Sequence, residues 1–188
     1  GFPVQDETPI PSLTNTDCTK QTKADPRNVW PFYIKCQPLS ADANTKWKTV
    51  TRPEGFSFDI PETLVLETYP NGAGYAYNEI PATSNLLFSV DLASSRSGEF
   101  TSMGLDTYPK EYWRQFSGLT SLKDLFDFTN SKNEKGVRAS YVNVANETPG
   151  VEVFFEFPGR KGDFVHFGSG VLSTEVFNTL IDSLKFTR

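Results

Sequence analysis

His166 is the sole histidine of the 188-residue chain. A histidine can act as a general base or a pH sensor because its ordinary pKa lies near neutrality. In Phe164-Val165-His166-Phe167, period-two alternation puts it on the face of Phe164, opposite Val165 and Phe167. No nucleophile stands beside it in sequence. The expectation is therefore a strand histidine, hydrogen-bonded at a sheet surface or a layer boundary. Carboxylate pairs could do acid–base work without a histidine. Glu152 and Glu156 lie on one strand face, but at strand rise they are about 13 Å apart, too far for either glycosidase geometry. Asp124 and Asp127 flank Leu125-Phe126. Both pairs read as solvated surface. Gly168-Ser169-Gly170 has the wrong spacing for a nucleophile elbow and lacks the lysine of a phosphate loop. It reads as a turn into the last helix. Gly72-Ala73-Gly74 lacks the third glycine of a dinucleotide fingerprint. No catalytic residue, metal site or cofactor is assigned.

Two further sets of residues carry chemistry of another kind. Cys18 and Cys36 are too far apart for a C-x-x-C pair. Two readings stay open: buried thiols, or one disulfide closing a loop of about 17 residues. Their polar, Pro- and Thr-rich setting favours the disulfide, since free buried cysteines belong in cores. The bond would contribute about 3 kcal/mol and would imply periplasm, cell surface, lumen or secretion. The chain also holds 16 Phe, 7 Tyr and 3 Trp. Most must fill a core. Tyr69, Tyr75 and Tyr77 cluster around Asn71-Gly72 with few charges nearby. They form the candidate contact surface for a protein or a sugar, with sheet packing as the competing reading.

The net charge of −5 argues against a nucleic-acid binder, which needs a concentrated basic face. No apolar run reaches the 18 or so residues that would cross a bilayer. Residues 1–45 read as a tether and docked arm: Pro3, Pro9, Pro11 and Pro26 lie among polar residues, and Val29-Trp30-Pro31-Phe32-Tyr33-Ile34 interrupts them as a docking cluster. Gly1-Phe2-Pro3-Val4 has neither region of a signal peptide. A tether running into a globular domain fits a lipid-anchored envelope protein, with the membrane attachment upstream of this sequence. Residues 46–188 read as one domain.

Within that domain, strands dominate. Phe56, Phe58 and Ile60 alternate with polar residues, with Trp47 to Thr51 as the hairpin partner. Leu64 to Thr68 starts a strand, Pro70-Asn71-Gly72 turns it, and Tyr75 and Tyr77 alternate in the next. Leu86, Phe88, Val90 and Leu92 make a fifth. Pro109 opens a helix whose face is Tyr112, Trp113 and Phe116. A second helical turn, capped by Thr120, is expected from Leu122, Leu125 and Phe126. Three strands follow, from Val137, Val151 and Phe164. Ser173 or Thr174 caps a last helix carrying Val176, Phe177, Leu180, Ile181 and Leu184 on one stripe, and Lys185-Phe186-Thr187 closes as a strand. Turn-length connections make the sheet largely antiparallel, and segregated helices make the class α+β.

Gly55-Phe56-Ser57-Phe58-Asp59-Ile60-Pro61 resembles the opening of PsbP-like domains, and the helix running into Ser183-Leu184-Lys185-Phe186 resembles their close. The order of elements from Trp47 to Arg188 is similar as well. The resemblance implies an α/β/α sandwich around an antiparallel sheet. It also implies a mostly non-catalytic role, as in extrinsic lumenal photosystem II subunits and a relative that binds a Ran-type GTPase. No functional residue carries over.

The sequence thus points to a non-catalytic, extracytoplasmic binding or accessory protein that contacts another envelope or membrane-complex protein. The alternative is a small-ligand or carbohydrate-binding domain using the aromatic turn. A hydrolase built on His166 ranks third.

Overall fold

The computed structural model describes residues 40–77, 88–96 and 98–188. Cys18, Cys36, the rest of the arm up to residue 39, and Leu86 lie outside the described residues. Among the described residues, ten strands run in chain order: β1 Trp47–Arg52, β2 Phe56–Pro61, β3 Val65–Thr68, β4 Gly74–Tyr77, β5 Phe88–Ser94, β6 Leu119–Thr129, β7 Lys135–Asn143, β8 Glu152–Glu156, β9 Asp163–Gly168 and β10 Lys185–Phe186. Two short α-helices accompany them among the described residues, α1 Tyr108–Glu111 and α2 Thr174–Ser183. The architecture is sheet-rich and antiparallel, with little helix.

Seven strands form one sheet in the order β3-β4-β5-β9-β8-β7-β6, and three form a second in the order β1-β2-β10. Every pairing is antiparallel. Side chains alternate along each strand, so directly opposed residues share a face. One face of the large sheet carries Phe88, Val90, Val153, Phe155, Val165 and Phe167, which pack on Phe56, Phe58 and Ile60 of β2 and on the apolar stripe of α2. The opposite face carries Leu119, Ala139, Tyr141, Phe154 and Phe164 under a lid of Phe100, Tyr108 and Tyr112. Covering both faces explains why β8 and β9 are buried on both sides along most of their length.

The helix α2 forms as the sequence requires. Ser173 is its N-cap, with its hydroxyl accepting from the Val176 amide at 3.2 Å. Val176, Phe177, Leu180 and Ile181 are buried. Burying side chains of this size contributes roughly 1.5–3 kcal/mol each before entropy is counted. Asn130 closes the other end: its amide donates to the carbonyl of Ile181 at 3.0 Å, which also accepts from the Leu184 amide, and to that of Leu184 at 2.8 Å. At the Pro109 helix, only Tyr108–Glu111 is α-helical, and Tyr112–Gln115 tightens into a 3₁₀ turn before Phe116.

The expected helical turn over Leu122, Leu125 and Phe126 is corrected, because these residues belong to the 11-residue strand β6. The pairing of β6 with β7 shifts register between Leu119 and Ser121 and again between Leu122 and Asp124. Each irregularity inserts one residue, turning a period of two into a local spacing of three. Leu119, Leu122 and Leu125 therefore all face the aromatic layer, opposite Asn143, Tyr141 and Ala139. A strand bulged twice imitates helical spacing.

Candidate functional site

The site begins with register. Asp91 of β5 lies directly opposite His166 of β9, and His166 lies directly opposite Phe154 of β8. Glu152, two residues before Phe154, therefore shares the same face. His166 Nδ1 lies 2.6 Å from Asp91 Oδ1, and Nε2 lies 2.7 Å from Glu152 Oε2. Both ring nitrogens thus meet a carboxylate. Gly168 makes room for this: a Cβ there would meet Ser89 Oγ at 2.9 Å and Glu152 Oε2 at 3.2 Å.

The surroundings are aromatic. Phe154 stacks on the imidazole with ring centroids 4.7 Å apart, and Tyr112 lies at 5.1 Å. Tyr141 donates its hydroxyl proton to the Pro109 carbonyl, tying α1 to β7. The side chains of His166 and Glu152 are 6 % and 5 % exposed, whereas that of Asp91 is 44 % exposed. The cluster therefore reaches solvent through Asp91. Burial alone would lower the histidine pKa, but the charges of Asp91 and Glu152 and the hydrogen bonds to both outweigh it and raise it to about 10. Burial, followed by the charges of Glu152 and Asp91, pushes the Tyr112 hydroxyl well above its usual range.

His166 is accordingly an imidazolium that donates from both nitrogens. A neutral ring would turn a lone pair toward one of the carboxylates. With both nitrogens engaged, the ring offers no lone pair to abstract a proton from a substrate. It sits at a layer boundary, hydrogen-bonded, as the sequence suggested. The reading of Glu152 as solvated surface is corrected: it is buried because β8 is covered on both faces, and the charge of His166 satisfies it. Glu156, on the same face as expected, accepts from the Gly162 amide at 3.2 Å. Asp124 and Asp127 are exposed, as expected. Among the described residues, no group of three or more His, Cys, Asp and Glu side chains is placed to hold a metal ion.

The tyrosine cluster stands on the same sheet. The β3–β4 hairpin turns through Pro70-Asn71-Gly72, with the Tyr69 amide bonded to the Ala73 carbonyl at 2.8 Å and Gly72 at φ +87°. Tyr69 and Tyr75 meet edge to face, with centroids 5.7 Å apart. Tyr69 is 39 % exposed and Val65 36 %. Tyr77 lies in β4 opposite Val65. Tyr75 pairs with Ser89, so it occupies the face that holds Asp91 and His166. The aromatic hairpin and the histidine cluster therefore share one face of the large sheet, two strands apart.

No family model matches the chain, and no curated protein matches it. A solved structure of a protein from Bacteroides thetaiotaomicron VPI-5482 is similar over 75 % of this chain at 12 % identity and a TM-score of 0.34. This chain spans about half of that one, 48 % of its length, and a likeness of that degree carries no argument about function.

Proposed function

We propose that this protein is a non-catalytic, extracytoplasmic binding or accessory protein that engages another envelope or membrane-complex protein through its β3–β4 hairpin. The observation that carries the reading is the Tyr69–Tyr75 pair. It is an edge-to-face aromatic contact at the tip of a hairpin, with Tyr69 exposed there and Val65 exposed at the far end of the same strand. Tyrosines of this kind anchor interfaces because they bury a large apolar area and keep a polar tip. The clamped state of His166 favours binding over proton transfer. We read α1 and α2, which lie over opposite faces of the large sheet, as the two helical layers of a PsbP-like arrangement. The compartment rests on Cys18 and Cys36 as a disulfide.

The test is affinity capture from the host's envelope fraction, using the full chain and its Tyr69→Ser variant. A stoichiometric partner retained by the parent and lost by Tyr69→Ser, at unchanged melting temperature, is the expected result. A partner held equally by both, or none at all, overturns the reading. In the latter case a melting temperature raised by a glycan or metabolite would favour the small-ligand alternative.

A further inference from the structure

Strands β1 and β3 each sit at the edge of their sheet, and a groove of about 360 Å³ runs between them. Lys48, Val50 and Arg52 line it from β1, and Val65, Leu66 and Thr68 from β3. Among the described residues its lining includes two cationic side chains, Lys48 and Arg52, and the Glu54 carboxylate lies 3.2 Å from Arg52 Nη2.

The backbone of β3 is asymmetric. Tyr69 and Ala73 form a hydrogen-bonded pair at the hairpin end. In an antiparallel ladder such pairs recur every second residue, so Glu67 and Val65 direct their N–H and C=O groups to β4. Leu66 and Thr68 direct theirs away from β4, to an edge that no described strand pairs. The Leu64 carbonyl, beyond the start of this edge, accepts from Lys48 Nζ.

Arg52 supplies the second, independent feature. Its side chain is 4 % exposed. Nη2 donates to Glu54 Oε1 and to the Gly72 carbonyl, both at 3.2 Å. Among the described residues, Nη1 is buried with no hydrogen-bond partner, and so is Glu54 Oε2. A buried guanidinium nitrogen left unpaired is costly.

We infer that this groove binds an extended acidic peptide of the partner protein, which adds as a strand to the Leu66–Thr68 edge and places a carboxylate on Arg52. Strand addition satisfies the open backbone groups. The incoming carboxylate draws the guanidinium from the inter-sheet layer and gives Nη1 its acceptor, in a charge-assisted bond. Val50, Val65 and Leu66 meet the apolar residues on either side of it. This inference rests on the protein-binding reading and names the chemistry of the partner.

The probe is an N-acetylated, C-amidated peptide, Thr-Val-Thr-Glu-Val-Thr-Val, titrated into the full ¹⁵N-labelled chain. Shifts concentrated at the amides of Leu66 and Thr68 and at the Arg52 guanidinium are expected. Replacing the central Glu of the peptide by Gln should weaken binding about tenfold, the loss of one charge-assisted bond. N-methylation at alternate peptide amides should abolish binding without any change to the protein. Thr68→Pro, which removes an edge N–H at a position where proline is tolerated, should do the same. No binding, binding indifferent to N-methylation, or shifts elsewhere overturn the inference. So does a crystal structure of the peptide mixture with one buried water on Nη1 and an empty groove. The two readings fail separately. A Tyr69-dependent partner without a peptide response overturns the groove alone. Peptide binding at Leu66 and Thr68 without any Tyr69-dependent partner overturns the hairpin alone.

Discussion

Asp91 and His166 are directly opposed residues on adjacent antiparallel strands, joined by a 2.6 Å bond from the histidine Nδ1 to the carboxylate Oδ1. Glu152 completes the clamp from the next strand at 2.7 Å. One imidazolium thus links β5, β9 and β8 within a face otherwise packed with aromatic rings.

The two carboxylates should differ in their contribution to stability. Removing one partner of a buried ion pair costs about 3 kcal/mol, because the other charge is left stranded. Glu152, 5 % exposed, meets that condition. Asp91, 44 % exposed, can be replaced by water, and its loss should cost about 1 kcal/mol. Urea denaturation of Glu152→Gln and Asp91→Asn should reproduce that order. Equal losses would show that the depth of burial does not govern the clamp.

The same cluster sets a pH dependence. The histidine pKa rises from 6.5 to about 10 on folding. The folded state binds this proton more tightly, so the contribution is fully present below pH 6.5 and is lost as pH rises through 10. The loss should be on the order of a few kcal/mol. Denaturation midpoints measured at pH 6, 8 and 10 should fall for the parent chain and fall less for His166→Phe. Parallel profiles for the two would locate the pH dependence elsewhere.

Asn130 should matter more than its place in a loop suggests. Its amide nitrogen serves the carbonyls of Ile181 and Leu184, and its Oδ1 accepts from the amides of Lys132 at 3.0 Å and Glu134 at 2.9 Å. Asn130→Ala strands buried groups at the end of α2 and should cost about 2–4 kcal/mol. Thermal unfolding reads this directly. A loss below about 0.5 kcal/mol, typical of surface sites, would contradict it.

The two cysteines test the compartment. Intact mass after alkylation without reductant should show Cys18 and Cys36 unmodified, and both modified once the protein is reduced and unfolded. Two thiols that label at once would remove the oxidising-compartment argument.

Much of this was legible in the residues themselves. Phe56-Ser57-Phe58-Asp59-Ile60 announced β2 by alternation, and the Ser173-Thr174 pair announced the start of α2, where Ser173 is the cap. The strand β6 was not legible, because two register shifts gave Leu119, Leu122 and Leu125 a spacing of three. The histidine cluster was half legible. His166 was assigned to the correct face, but its partners come from strands 14 and 75 residues away in sequence, and no local pattern pairs them. One signal was there to be read: Glu152 stands beside Val151, Val153, Phe154 and Phe155, and a lone charge in such a run must find a buried counter-charge. The groove between β1 and β3 depends on which strands end up at sheet edges, which the sequence alone does not express.

Held between Asp91 and Glu152 as a cation, His166 has no lone pair with which to take a proton from a substrate. Since the chain has one histidine, a long-range ¹H–¹⁵N spectrum contains a single imidazole, and its nitrogens can be followed from pH 5 to 10 without assignment by mutation. Both nitrogens should remain protonated through pH 8.5 and lose the proton only toward pH 10. A neutral tautomer at pH 7 would contradict the account, because it would give the ring a lone pair and restore it as a candidate general base.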